Sequence, residues 1–152
     1  MTQTYTRFTM TDIDDILALI DPWTALADGR MQLLAAIDAA SVHGPDLAET
    51  LGIAADRDRA MCNVMRAYIE GARDFSTIAT TGHHVDAGDA ADPIALAEDA
   101  RRDLLEALAV LGTTLDDVVE IPWNGRDSWR IHLVTLAMHD GADAQRLMQD
   151  PQ

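Results

Sequence analysis

The chain has 152 residues, 48% apolar and 24% charged, with 11 Lys+Arg against 26 Asp+Glu, a formal net charge of −15 and a pI near 4.3. That length and balance fit one soluble globular domain, residues 1–152, and exclude a disordered chain. The acidic field disfavours nucleic acid and anionic membrane as partners, since both are held through Lys and Arg, and no run nears the ~18 apolar residues that cross a bilayer.

The single cysteine, Cys62, allows no intrachain disulfide framework, and the first ten residues lack the apolar stretch of a signal peptide. A cytoplasmic protein is therefore expected. Aromatic residues are only 5% of the chain, so the core must be built from Leu, Ala, Ile, Val and Met, which favours packed helices.

In chain order, Thr11 and the following aspartates open a short extra N-terminal helix over IDDILALI. Asp21-Pro22 then pairs a capping carboxylate with a proline suited to the first helical position. It predicts a helix over 22–40, with Trp23, Leu26, Met31, Leu34 and Ile37 on the buried stripe. Residues 41–55 read as a loop holding at most one helical turn. A second helix follows, capped by Asp56 or Asp58 and ended by Gly82. Its stripe is Met61, Val64, Met65, Tyr68, Ile69, Ala72, Phe75 and Ile78. Residues 82–92 form a small, polar linker in which His83-His84 read as surface residues. Asp92-Pro93 repeats the capping device and starts a third helix over 93–111, with Gly112 as its stop.

Next comes an ordered loop with Val118–Ile121 extended and a turn at Asn124-Gly125. Asp127 or Ser128 caps a last helix over 128–149. The sum is an all-α four-helix bundle.

The chemistry concentrates on the last helix. His132, His139 and Asp143 lie at i, i+7 and i+11, which return to within ~20° of one line at ~100° per residue. Two imidazoles and a carboxylate on one face can form half of a metal or proton-transfer site, or a half-solvated edge with no chemistry. In the first case His139 is a ligand or general base, Asp143 a second ligand or orienting partner, and His132 a substrate contact. A third ligand must come from another helix, where Cys62 is the best thiolate candidate. Cys62 can instead pack as a small hydrophobe, although Arg59 and Arg66 lie one turn away on either side. Trp123 and Trp129 bracket the turn before the last helix. With Arg130, and with Tyr68 from the second helix, they read either as a small-molecule pocket wall or as a plug for the bundle's end.

Two resemblances follow from these residues. HGPDLAETLGIAADRDRAMCNVMRAYIEGA resembles the helix-turn-helix of bacterial winged-helix regulators. Its reading helix, however, sets Asp56 and Asp58 beside Arg57 and Arg59, and no basic wing follows. The whole chain, best over 100–147 with LDDVVEIPWNGRDSWRIHLVTLAMHDGADAQRL, resembles the DinB-like superfamily of four-helix bundles. That group includes mycothiol- and bacillithiol-dependent S-transferases and the N-terminal domain of mycothiol-dependent maleylpyruvate isomerase.

The DinB-like resemblance implies a metal held by one histidine of the second helix and a His-x-x-x-His pair on the last. Here His139 matches the first member of that pair and Asp143 stands in place of the second. The second-helix histidine has no counterpart; Cys62, Met61 or Met65 stands near its place. The implied activity is a metal-dependent transferase or isomerase acting on a small electrophile or a low-molecular-weight thiol. The metal would be zinc or nickel, and the pocket would lie between the second and last helices. The alternative is a non-catalytic binding bundle that has lost the metal site; either form could dimerise through an outer helix face.

Overall fold

A computed structural model of the chain describes residues 16, 19–78 and 92–149. The N-terminal helix expected over 13–20 lies outside the described residues apart from positions 16, 19 and 20, and so does the His83-His84 pair. The described residues form four helices and a two-stranded sheet: α1 (Pro22–Ala39), α2 (Gly44–Ile69), α3 (Pro93–Leu111), β1 (Val118–Ile121), β2 (Gly125–Ser128) and α4 (Trp129–Gln149). None of these helices is long and apolar enough to cross a membrane.

The caps work as the sequence suggests. Asp21 accepts from the Trp23 amide at 3.2 Å and the Thr24 hydroxyl at 2.9 Å, opening α1. Asp92 accepts from the amides of Ile94 and Ala95 at 3.1 and 3.2 Å, opening α3. Ser128 Oγ accepts from the Ile131 amide at 3.3 Å, inside the first turn of α4. On α1, Leu26, Leu33 and Ile37 are buried while Trp23 and Met31 are exposed, so its inward face is rotated from the expected stripe.

The second helix departs most from expectation. It begins at Gly44, with Pro45 in its first turn, and runs unbroken through the segment read as a loop. PDLAETLGI and the residues after it therefore form one continuous helix, with no turn of the helix-turn-helix kind between them. Asp58 sits mid-helix and is fully buried, so it caps nothing. The helix ends at Ile69, well short of Gly82. Gly71 takes a φ of 107°, and the amides of Gly71 and Ala72 bond back to Tyr68 O and Ala67 O at 3.0 and 2.9 Å. That closes the chain in a Schellman turn. Phe75 is buried all the same, because the chain folds back and sets its ring 6.4 Å from that of Tyr68.

The expected extended segment pairs into a β-hairpin, with Val118 opposite Ser128 and Ile121 opposite Gly125. Its three-residue loop closes with Asn124 N bonded to Ile121 O at 2.9 Å and Gly125 at φ 80°. This combination of a tight turn and a left-handed glycine keeps the strand twist.

In the bundle α1 packs along α4, and α2 along α3. The two pairs enclose two apolar clusters. The larger contains Leu26, Met61, Met65, Leu104, Leu108, Trp129 and Leu133 at the hairpin end. The smaller contains Leu33, Ile37, Leu51, Ala54 and Ala97 at the other. Between them, in sequence along every helix, stands one charged residue: Arg30, Asp58, Arg101 and Asp140, each no more than 4% exposed.

Candidate functional site

The line His132, His139, Asp143 runs along α4, yet the three side chains meet different surroundings. The hairpin folds over the first turns of α4 and seals His132, which is fully buried. Its Nε2 lies 3.0 Å from Val119 O, and its Nδ1 lies 2.7 Å from the side-chain amide nitrogen of Asn124. Burial pushes its pKa below the ordinary value, against the Val119 carbonyl and the Asp127 carboxylate, which favour the charged ring. Both ring nitrogens are occupied, so His132 is placed as a tie between helix and hairpin. Two turns on, beyond the hairpin, His139 is exposed.

Asp143 is half-buried, in a close ion pair with Arg57 of α2 and 3.5 Å from Arg146. It belongs to the wall of a pocket of about 670 Å³ between α2 and α4, capped by the α1–α2 turn. His43, Asp46, Glu49, Thr50 and Arg146 share that wall. His43 Nδ1 lies 2.7 Å from Ser41 O, which fixes its ring over the turn.

Cys62 is buried on α2, its thiol 3.7 Å from Asp103 O. Burial raises its pKa, and the Arg66 guanidinium opposes that rise without cancelling it, so the thiol stays protonated near neutrality. His139, Asp143 and Cys62 are thus not brought together. Among the described residues, no group of three or more His, Cys, Asp or Glu side chains is placed to hold a metal ion. The described side chains do not fit the zinc or nickel site implied by the resemblance.

The aromatic candidates divide. Tyr68 and Trp129 pack edge to face with ring centroids 5.3 Å apart, and Arg73 stacks over the Tyr68 ring at 3.9 Å. The Tyr68 hydroxyl donates to Asp117 at 2.6 Å, and that bond, with burial, raises its pKa. Trp129 is fully buried as the plug at the bundle's end. Trp123 stands 38% exposed at the hairpin tip, and Arg130 pairs with Asp116 at 3.3 Å. Tyr68 and Trp129 thus meet in the core, while Trp123 and Arg130 lie at the hairpin's tip and base.

What the sequence reading passed over is the charged layer. Arg101 grips Asp58 with two parallel bonds of 3.0 and 2.8 Å and reaches Asp140 at 2.8 Å. Arg30 bonds Asp58 at 2.8 Å and approaches Asp140 at 3.4 Å. The remaining guanidinium nitrogens donate to backbone, Arg30 to Ala97 O and Arg101 to Leu26 O, both at 2.6 Å. Burial works against the charge of Arg101, but Asp58 and Asp140 outweigh it and raise its pKa.

A signal for this layer exists in the sequence: Leu26-Arg30-Leu33-Ile37, Ala54-Asp58-Met61-Met65, Ala97-Arg101-Leu104-Leu108 and Leu133-Ala137-Asp140-Ala144. Each helix carries one charge on its own apolar stripe, two of each sign. A second concavity, an apolar groove of about 900 Å³, runs between α1 and α4 past Gln32, Ala35, Met138, Gln145 and Met148. No family model matches the chain, and no curated protein or solved structure is significantly similar to it.

Proposed function

We propose that this chain is a DinB-like bundle that binds a small polar molecule in the pocket between α2 and α4, without catalysis at a bundle-centred metal. The observation that carries this reading is the pocket itself. It joins the second and last helices, and Asp143, Arg146 and His43 converge on it with Asp143 already oriented by Arg57. What supports the DinB-like reading is the four-helix pattern together with the sequence resemblance over residues 100–147. The separation of His139, Asp143 and Cys62 favours a binding role over the metal-dependent transferase or isomerase.

An NMR titration of the labelled protein with small polar compounds, low-molecular-weight thiols among them, tests this. Shifts should gather at residues 41–50 and 143–147 and vanish in Arg146→Ala. Shifts gathered in the α1–α4 groove, or none, would refute the assignment of the pocket. Elemental analysis after growth with zinc and nickel addresses the other reading. Stoichiometric metal that is lost on His139→Ala would restore the enzyme.

A further inference from the structure

The hairpin is tied to α4 through both nitrogens of the His132 ring. His132 Nε2, 3.0 Å from the Val119 carbonyl, must carry a hydrogen, because a carbonyl can only accept. In the neutral ring Nδ1 is then bare, and it accepts from the Asn124 amide at 2.7 Å. Both partners belong to the hairpin, one on β1 and one in its loop, so a single helix side chain holds two points of it. A second proton would fall on Nδ1 and face a donor at hydrogen-bond distance.

Burial opposes the cation, while Asp127 on β2 favours it through both the field of its carboxylate and its backbone carbonyl. Glu120 on β1 is exposed. Asp117, ahead of β1, is engaged by the Tyr68 hydroxyl of α2. Trp129 of α4 presents its ring 6.3 Å away at 71°. The ring itself is fully buried.

We propose that His132 is an acid-sensitive latch: protonating it releases the β1–β2 hairpin from α4 while the four helices stay folded. At the base of the hairpin, Asp117 O accepts from the Trp129 amide and Leu115 O from the Arg130 amide at 3.1 and 3.0 Å, with Arg130 paired to Asp116, and these contacts act as its hinge. Val119 and Ile121, buried in the larger cluster, are the apolar contacts that release must break. Release would carry Trp123 away and open Trp129, which the hairpin covers, to solvent. This latch does not depend on the proposed pocket, which lies at the opposite end of α4.

The test is amide exchange across residues 117–128, read as protection factors between pH 8 and 4, with the His132 ring nitrogens followed by NMR. In the unaltered protein, hairpin protection should fall at least about tenfold as His132 charges, with α1, α2 and α3 unchanged. Asn124→Asp supplies a carboxylate that accepts from the second N–H. There His132 should titrate about one pKa unit higher, and the hairpin should stay protected over the same range. His132→Gln, which cannot charge, should show no acid step.

Three results would overturn the latch: His132 charging with the hairpin still protected, the amide having turned to accept; the same acid step persisting in His132→Gln; or His132 gaining its proton only when the helices unfold with it. Should His132→Gln not fold, Asn124→Asp alone decides.

Discussion

At the scale of single residues, the buried charges govern stability. Taking Asp58→Ala leaves two guanidinium groups in the core with one carboxylate between them. The expected cost is about 3–5 kcal/mol, measured by urea denaturation. A cost under about 1 kcal/mol would mean that water enters the layer and solvates the arginines. Gly29→Ala is a second case. A Cβ there would lie 2.8 Å from Ala137 O, a backbone atom that cannot swing aside, so α1 and α4 must part. About 1–3 kcal/mol should be lost, the range of overpacked sites, and the same melts would show it. Neither residue was legible as important from its type. A glycine inside a helix reads as a modest loss of helix propensity, and an aspartate ahead of an apolar run reads as a cap. What exposes them is position: both fall on the face that their own helix turns inward. His139 shows the converse, since a shared helical line does not confer shared burial where the covering hairpin ends.

Among the elements, those with local punctuation were the most readable. Asp21-Pro22, Asp92-Pro93, Gly112 and Asn124-Gly125 each act where they stand, because capping and turn chemistry need only near neighbours. The start and end of α2 were not readable in the same way. Gly44-Pro45 opens it without a side-chain cap, and Gly71 rather than Gly82 closes it. The apolar repeat continues past the true end because Phe75 and Ile78 pack against the same cluster from outside the helix. The end of α1 carries a mismatch that can be relieved. Ser41 holds a φ of 52° in a Schellman turn, with its amide and that of Val42 bonded to Asp38 O and Ile37 O at 3.1 and 3.0 Å. Ser41→Gly should raise stability by about 0.5–1 kcal/mol, since the strain removed exceeds the chain entropy added. A lower melting temperature would show that the serine side chain holds the turn. Asp92→Ala, by contrast, should cost about 1 kcal/mol through the two amides it leaves bare.

For the molecule as a whole, His132 bends stability on the acid side of neutrality, and Tyr68, joined by the buried Cys62 thiol, bends it on the alkaline side. The depressed pKa of His132 means that the unfolded chain binds its proton first. The stability it provides is complete above its ordinary value of 6.5 and is lost as pH falls through the folded value. Tyr68 acts in the opposite sense: its raised pKa gives stability that is present below its ordinary value of 10.0 and lost as pH rises through the folded one. Melting temperatures across pH 4–11 should therefore fall at both ends, and Tyr68→Phe should flatten the alkaline limb. The bundle class and the acidic net charge could be read from composition and periodicity, which average over the chain. The pairing of α1 with α4 and α2 with α3 could not, since it depends on which stripes meet. The layer of Arg30, Asp58, Arg101 and Asp140 bears on that choice. A helix that slipped by one turn, about 5.4 Å, would drive a guanidinium or carboxylate into a shell of leucines and leave its mate stranded. The charges thus serve as a vernier for axial alignment, admitting one setting of the four rods and penalising its neighbours. Replacing all four by Met and Leu should keep or raise the free energy of unfolding while broadening the amide spectrum, as several alignments become comparable.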